Sequence, residues 1–210
     1  MIRLILADDH AMLREGLRRK FEDNPDLRVT GEAASAAELL QRLNEAPADV
    51  VILDVKLPDA NGISLIKKIK TIAPSIRVVI LTMYNHARYA LHAIQSGADG
   101  FVVKGAPFEE LERAVRTVFT RRTYVCSELA PELIGRFRRP QPDSPADSLS
   151  QREFEVLTML SSGLTLKETA SRMHLSKKTV STYRTRLMVK LNLNGNTDLV
   201  RFALESGLIE

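Results

Sequence analysis

Three carboxylates, one hydroxyl and one ammonium group carry the chemistry legible in the first half of this 210-residue chain. Asp8 and Asp9 close the apolar run 2–7, Asp54 closes 50–53, Thr82 closes 78–81, and Lys104 follows 101–103. Each run is short and rich in β-branched residues, the pattern of a strand buried on both faces. In a parallel sheet all such strands point their C-terminal ends to one edge, and ligands bind in the crevice there. Residues distant in sequence therefore meet. Clustered carboxylates repel one another unless a cation joins them, and oxygen ligands with room for waters suit Mg²⁺. With that cation in place, a carboxylate can attack a phosphoryl donor in line and form an acyl phosphate. Asp54 is the expected nucleophile because it stands alone on the central strand, which leaves Asp9 and Asp8 to hold the metal. Lys104 as a point charge and Thr82 as a donor would contact the phosphoryl oxygens.

A second concentration of functional groups lies near the C-terminus. Between residues 177 and 190 stand five cations, Lys177, Lys178, Arg184, Arg186 and Lys190, and no acid. Val180, Tyr183, Leu187 and Leu191 are three, four and four apart, so they share one inward helical face, with Ser181, Thr182 and Thr185 away from it. Lys177 and Lys178 follow the expected N-cap Ser176, where a helix dipole prefers acids. A phosphate at that helix start would reverse the sign of the interaction. A charge run on a helix is commonly just a solvated face, and spacing alone leaves both readings open.

The elements that must position these groups follow from periodicity. Strand-like runs at 2–7, 27–30, 50–53, 78–81 and 101–103 alternate with amphipathic stretches at 11–21, 36–43, 63–72, 87–95 and 107–119. Five β-α units of this kind predict an α/β domain over residues 1–121: a five-stranded, doubly wound parallel sheet with helices on both faces. Residues 122–147 read as a linker, because the segment 138–145 carries three prolines and cannot continue a helix or pair in a central strand. One short helix is expected within it, over 129–137. Residues 148–210 read as a small all-α domain. Ser150 and Glu153 have the spacing of a capping box, so a helix starts there and stops near Gly163. Further helices are expected over 166–173, 177–191 and 197–206, with a tight connection at 174–176. Leu199, Phe202, Ala203 and Leu208 of the last one read first as core.

Composition sets the outer bounds. The formal charge is only +4, and residues 148–210 hold nine basic and six acidic side chains against seventeen and sixteen in 1–121, so the surplus sits mainly at the C-terminal end. A single cysteine, Cys126, excludes an intramolecular disulfide and suits a reducing compartment. No apolar run approaches the roughly 18 residues of a membrane span, and Asp8 and Asp9 interrupt any signal-peptide core. A cytoplasmic protein with no membrane partner is expected.

Asp8-Asp9, the segment Asp54-Val55-Lys56-Leu57-Pro58, Leu81-Thr82 and Phe101-Val102-Val103-Lys104 resemble the receiver domain of response regulators, a flavodoxin/CheY-like fold. Leu149-Ser150, Arg152-Glu153, Gly163, Glu168-Thr169-Ala170, Leu175-Ser176 and Thr179-Val180 resemble the LuxR-type helix-turn-helix. A receiver joined to that domain is the pattern of the NarL/FixJ family. The resemblance implies a two-component transcriptional regulator phosphorylated on Asp54 by a sensor histidine kinase, with no enzymatic activity beyond its own phosphorylation and dephosphorylation. It implies Mg²⁺ bound by Asp8, Asp9, Asp54 and the backbone carbonyl of Lys56, and Thr82 with Phe101 as a switch pair. It also implies that the helix from Lys177 enters the major groove of promoter DNA. Ser181, Thr182 and Thr185 would then face bases, Thr179 would belong to the same DNA-binding set, and Lys177, Lys178, Arg184, Arg186 and Lys190 would hold phosphates. A homodimer formed through the last helix is the family's common arrangement. Met83 and Tyr183 depart from the residues common at those places, a small side chain and a His. Two alternatives remain open. An aspartyl phosphatase would need an acid where Lys56 stands, and a receiver controlling a protein partner would leave the basic helix without a role.

Overall fold

Runs of Val, Ile and Leu form six strands: β1 (Ile2–Ala7), β2 (Leu27–Ala33), β3 (Val50–Leu53), β4 (Arg77–Thr82), β5 (Gly100–Val103) and β6 (Tyr124–Val125). All pairings are parallel, in the order β2-β1-β3-β4-β5-β6. Helices α1 (Ala11–Glu22), α2 (Ala36–Glu45), α3 (Gly62–Ile72), α4 (Ala87–Gln95) and α5 (Phe108–Phe119) make the crossovers that parallel neighbours require. The computed structural model describes residues 1–131, 133–134, 145–173, 175–206 and 208–209. They fall into two units, one of Met1–Met83 with Tyr89–Pro131 and one of Tyr84–Arg88 with the C-terminal residues.

In the first unit every residue of β3 is buried, as expected of a strand covered on both faces. One side of the sheet packs Leu6, Ile52, Val79 and Val102 against Phe21 of α1 and Leu111, Val115 and Val118 of α5. The core keeps the strand ends in register, and that register sets where the functional groups stand.

The expectation of five strands is corrected to six. After α5 the backbone turns through Arg121, at φ 64, and Tyr124 and Val125 pair with Gly100 and Phe101. Tyr124 Oη donates to Glu110 of α5 at 3.1 Å, and Ser127 donates to the same carboxylate through its amide at 2.7 Å and its hydroxyl at 2.8 Å. Two residues are too few for a period-2 pattern, and the strand is held by this side-chain anchor rather than by a hydrophobic alternation. Residues 130, 131, 133 and 134 are helical, within the short helix expected at 129–137. The rest of that stretch and the proline-rich segment lie outside the described residues.

In the second unit, α6 (Gln151–Ser161), α7 (Leu166–Met173), α8 (Lys177–Lys190) and α9 (Asn196–Glu205) follow one 3₁₀ turn, Pro145–Ser148. The capping box is complete: Ser150 accepts from the Glu153 amide, and Glu153 accepts from the Ser150 amide. Gly163 takes φ 86 beyond α6, and Asn192 takes φ 52 beyond α8, the left-handed conformation that stops a helix. Phe154, Leu157, Val180, Leu187, Leu199, Ala203 and Leu208 are buried. His174, in the connection between α7 and α8, lies outside the described residues.

Glu153 also accepts from Lys190 Nζ at 2.7 Å. Burial alone would raise its pKa, but the Lys190 ammonium and the Ser150 amide outweigh burial and hold it below the usual carboxylate range. A depressed carboxylate adds stability above its unfolded pKa of about 4.3, and that stability is lost as pH falls below it. Lys190→Met should therefore destabilise this unit at pH 7 by about 1 kcal/mol, a modest figure because the Lys190 side chain is 39 % exposed. The deficit against wild type should shrink as the pH falls toward 4. Hydrogen exchange at α6 amides across that range measures it.

Candidate functional site

The site sits where β1 turns its two edges to β2 and β3, the place at which the strand order reverses. Asp8 and Asp9 follow β1, Asp54 follows β3, Thr82 ends β4 and Lys104 follows β5, so all five sequence-predicted groups arrive at one sheet edge. Asp8 and Asp54 are only 4 % and 3 % exposed, and Thr82 is buried. Lys104 Nζ stands 2.7 Å from Asp8 Oδ2 and 2.7 Å from Asp54 Oδ2. Its hydrogen bond goes to Asp54. Asp8 Oδ2 is charge-paired but has no donor aligned on it. Asp9 is exposed at the mouth.

His10, not anticipated from the sequence, joins this group. Its Nδ1 lies 2.9 Å from Asp8 Oδ1 and 2.7 Å from Asp9 Oδ1. One ligand atom from each of Asp8, Asp9, His10 and Asp54 falls within 4.8 Å of the others, an arrangement that can hold a metal ion. The buried Asp8 oxygen, paired with the Lys104 charge but with no donor aligned on its lone pairs, fits such an ion. Burial pushes the Asp54 carboxyl above its ordinary range, and Lys104 works against that rise. Burial would lower the Lys104 pKa, but the Asp54 and Asp8 carboxylates beside it outweigh burial and raise it.

The loop after Asp54 is built around it. Lys56 N donates to Asp54 Oδ1 at 3.2 Å, and Gly62 N donates to Val55 O at 2.8 Å. Asp59 accepts from the first amides of α2, Ala36 at 2.7 Å and Ala37 at 3.0 Å, tying the loop to the neighbouring helix. A Cβ at Gly62 would lie 2.1 Å from the Asp54 carbonyl oxygen. No rotamer relieves a backbone collision, so only glycine fits. The dipeptide Asn61-Gly62, not anticipated from the sequence, is the local mark of this tight start of α3, and its importance is visible only once the Asp54 carbonyl is placed. Phe101 is fully enclosed, and by strand pairing it lies on the same face of the sheet as Thr82.

The basic helix α8 is capped by Ser176, whose hydroxyl accepts from Thr179 N at 3.0 Å and bonds Thr179 Oγ1 at 2.8 Å. Two shallow grooves of about 410 and 320 Å³ run beside it, the first lined by Leu166, Lys177, Lys178, Ser181, Thr182 and Thr185. Lys177, Lys178 and Arg186 are exposed. Arg184 and Lys190 are differently placed: Arg184 donates to Asn196 Oδ1 at 2.8 Å, and Lys190 donates to Glu153 and to Ser148 O. Two of the five cations therefore hold partners inside their own unit.

Residues 4–116 match the receiver domain of response regulators, and residues 147–203 match the bacterial regulatory proteins of the luxR family. The chain belongs to the response regulators. It is 34 % identical to the response regulator GacA of Pseudomonas aeruginosa, over 100 % of this chain and 99 % of that one. It is 40 % identical to the DNA-binding transcriptional activator DevR/DosR of Mycobacterium tuberculosis, over 98 % and 95 %. Among solved structures it resembles RcsB from Salmonella enterica serovar Typhimurium bound to the promoter rprA in the presence of phosphomimetic BeF3-. That match has a TM-score of 0.79 and 26 % identity, over 96 % of this chain and 97 % of that one. This response regulator thus joins a receiver to a LuxR-type DNA-binding domain. None of its described helices is long and apolar enough to cross a membrane.

Replacing Gly62 by Ala must displace the Asp54 backbone or the start of α3. Gly62→Ala in this response regulator should lower stability by about 1–3 kcal/mol and slow phosphoryl transfer to the receiver at least tenfold. Denaturant unfolding and the rate of labelling from acetyl phosphate read the two effects. Unchanged values for both would show that the close approach does not hold Asp54.

Proposed function

We propose that Asp54 accepts a phosphoryl group from a sensor histidine kinase and that the modification controls how the α8 helix engages promoter DNA. The observation that carries this reading is the Asp54 carboxylate held 2.7 Å from Lys104 beside Asp8, in a group able to hold a metal ion. We assign Mg²⁺ to Asp8, Asp9, Asp54 and the backbone carbonyl of Lys56, with the receiver extended past residue 121 to take in β6 and its unit up to Pro131, the linker after it, and the DNA-binding domain over 148–210. When bound, Mg²⁺ supplies the positive charge that lets a carboxylate and a phosphoryl group approach. Lys104 then moves its hydrogen bond from Asp54 to a phosphoryl oxygen, and Thr82 donates to another. Phe101 is enclosed already, so the first movement belongs to Thr82, and the ring repacks behind it.

In the DNA-binding domain, exposure and free charge favour Lys177, Lys178 and Arg186 as the phosphate contacts. Arg184 and Lys190 reach the backbone only by leaving their internal partners, and the Thr179 hydroxyl serves the helix start. Ser181, Thr182 and Thr185 face base edges. The exposed Leu204 on α9 supports a two-fold dimer on symmetric half-sites. The protein works in the cytoplasm, and its only chemistry is on its own aspartate.

The test uses full-length chain and a duplex selected from a random pool. Acetyl phosphate with Mg²⁺ should tighten binding by wild type and leave Asp54→Asn unchanged. Lys178→Ala and Arg186→Ala should each weaken binding and reduce the slope of log K against log salt by about 0.9. Unaltered slopes in both would place the partner of this surface among proteins rather than nucleic acids.

A further inference from the structure

Thr182 and Thr185 are exposed on α8, and both spend their hydroxyl proton on the helix itself. Thr182 Oγ1 donates to Lys178 O at 3.0 Å, and Thr185 Oγ1 donates to Ser181 O at 3.1 Å. A hydroxyl has one proton, so neither side chain retains a donor for a ligand. Each presents outward a methyl group and an oxygen that can only accept. Ser181, which precedes them, makes no such bond among the described residues, and it keeps its donor.

Helical spacing puts Lys178, Thr182, Thr185 and Val189 on one stripe, since offsets of four, seven and eleven residues return to nearly the same direction. Val189 is 76 % exposed. Val189 extends the methyl surface of the two threonines along this exposed stripe by one turn. The four side chains therefore read, from the N-terminal end, as one cation followed by three methyl-bearing groups.

Base edges in the major groove sort sharply against such a surface. Guanine shows two acceptors, N7 and O6, and finds no donor on Thr182 or Thr185. An A·T pair offers the adenine N6 donor to an accepting oxygen and the thymine C5-methyl to a methyl group; a C·G pair matches only the first, through cytosine N4, so the methyl contact carries the discrimination. Resting on the proposal that α8 lies in the major groove, we infer that Thr182 and Thr185 read thymine methyl groups by apolar contact, so the half-site carries A·T pairs opposite both residues. Among the described residues of this face, Ser181 supplies the hydroxyl donor.

The experiment begins with sites selected from random DNA by phosphorylated full-length protein. Replacement of each thymine by deoxyuridine, which lacks only the methyl group, should cost wild type about three- to fourfold in affinity at the two matched positions. Thr182→Val and Thr185→Val keep the methyl and should bind within twofold of wild type. Thr182→Ser and Thr185→Ser lose it, should show the same three- to fourfold loss, and should then be insensitive to deoxyuridine. Valine and serine have similar helix propensities, so folding does not separate the two variants. Guanine selected opposite these residues, or valine variants that lose selectivity while serine variants keep it, would overturn the inference and leave the DNA-binding role standing. Wild type that selects no sequence at all would overturn both.

Discussion

The Lys104 ammonium holds together two buried carboxylates that would otherwise repel one another. It sits 2.7 Å from each of Asp8 and Asp54, on groups that are almost wholly removed from solvent. Two like charges at that depth are costly, and removing their cation would leave an uncompensated charge in a low-dielectric site. The rest of the first unit can be understood as the scaffold for this one encounter. β1, β3 and β5 must end at the same edge, which a parallel sheet guarantees, and the helices must cross over behind it so that the edge stays open.

The same constraint accounts for the backbone around Asp54. Its carbonyl lies where a Cβ at Gly62 would stand, and its side chain receives the Lys56 amide, while Asp59 ties the loop to α2. Asp54 is thus fixed by main-chain geometry on one side and by the Lys104 ammonium on the other. Under the proposed function the Asp54 backbone stays in place while the Lys104 ammonium and Thr82 change partners, which keeps the reorganisation at the reacting atom small.

Most of this is legible in the sequence, because strand ends follow directly from apolar runs, and parallel topology brings those ends together. Asp8, Asp9, Asp54, Thr82 and Lys104 came from that rule. What escaped it depends on contacts rather than on pattern. β6 has two residues and is held by Glu110. His10 joins the acidic group through ring geometry, and Gly62 matters because of a carbonyl eight residues earlier. On α8 the five cations look equivalent in sequence, yet Lys190 completes the charge of the Glu153 capping box and Arg184 holds Asn196. Charge counting sees a basic face. Only packing separates the cations that serve the fold from those free for a ligand.

Intact mass spectrometry of the chain after exposure to acetyl phosphate tests the central claim most directly, with wild type and Asp54→Asn each run with Mg²⁺ and with EDTA. A single phosphoryl adduct on wild type, absent with EDTA and absent in Asp54→Asn, is the predicted result. An adduct that persists in Asp54→Asn, or no adduct on wild type, would contradict it and leave a response-regulator fold whose acidic edge answers to something else.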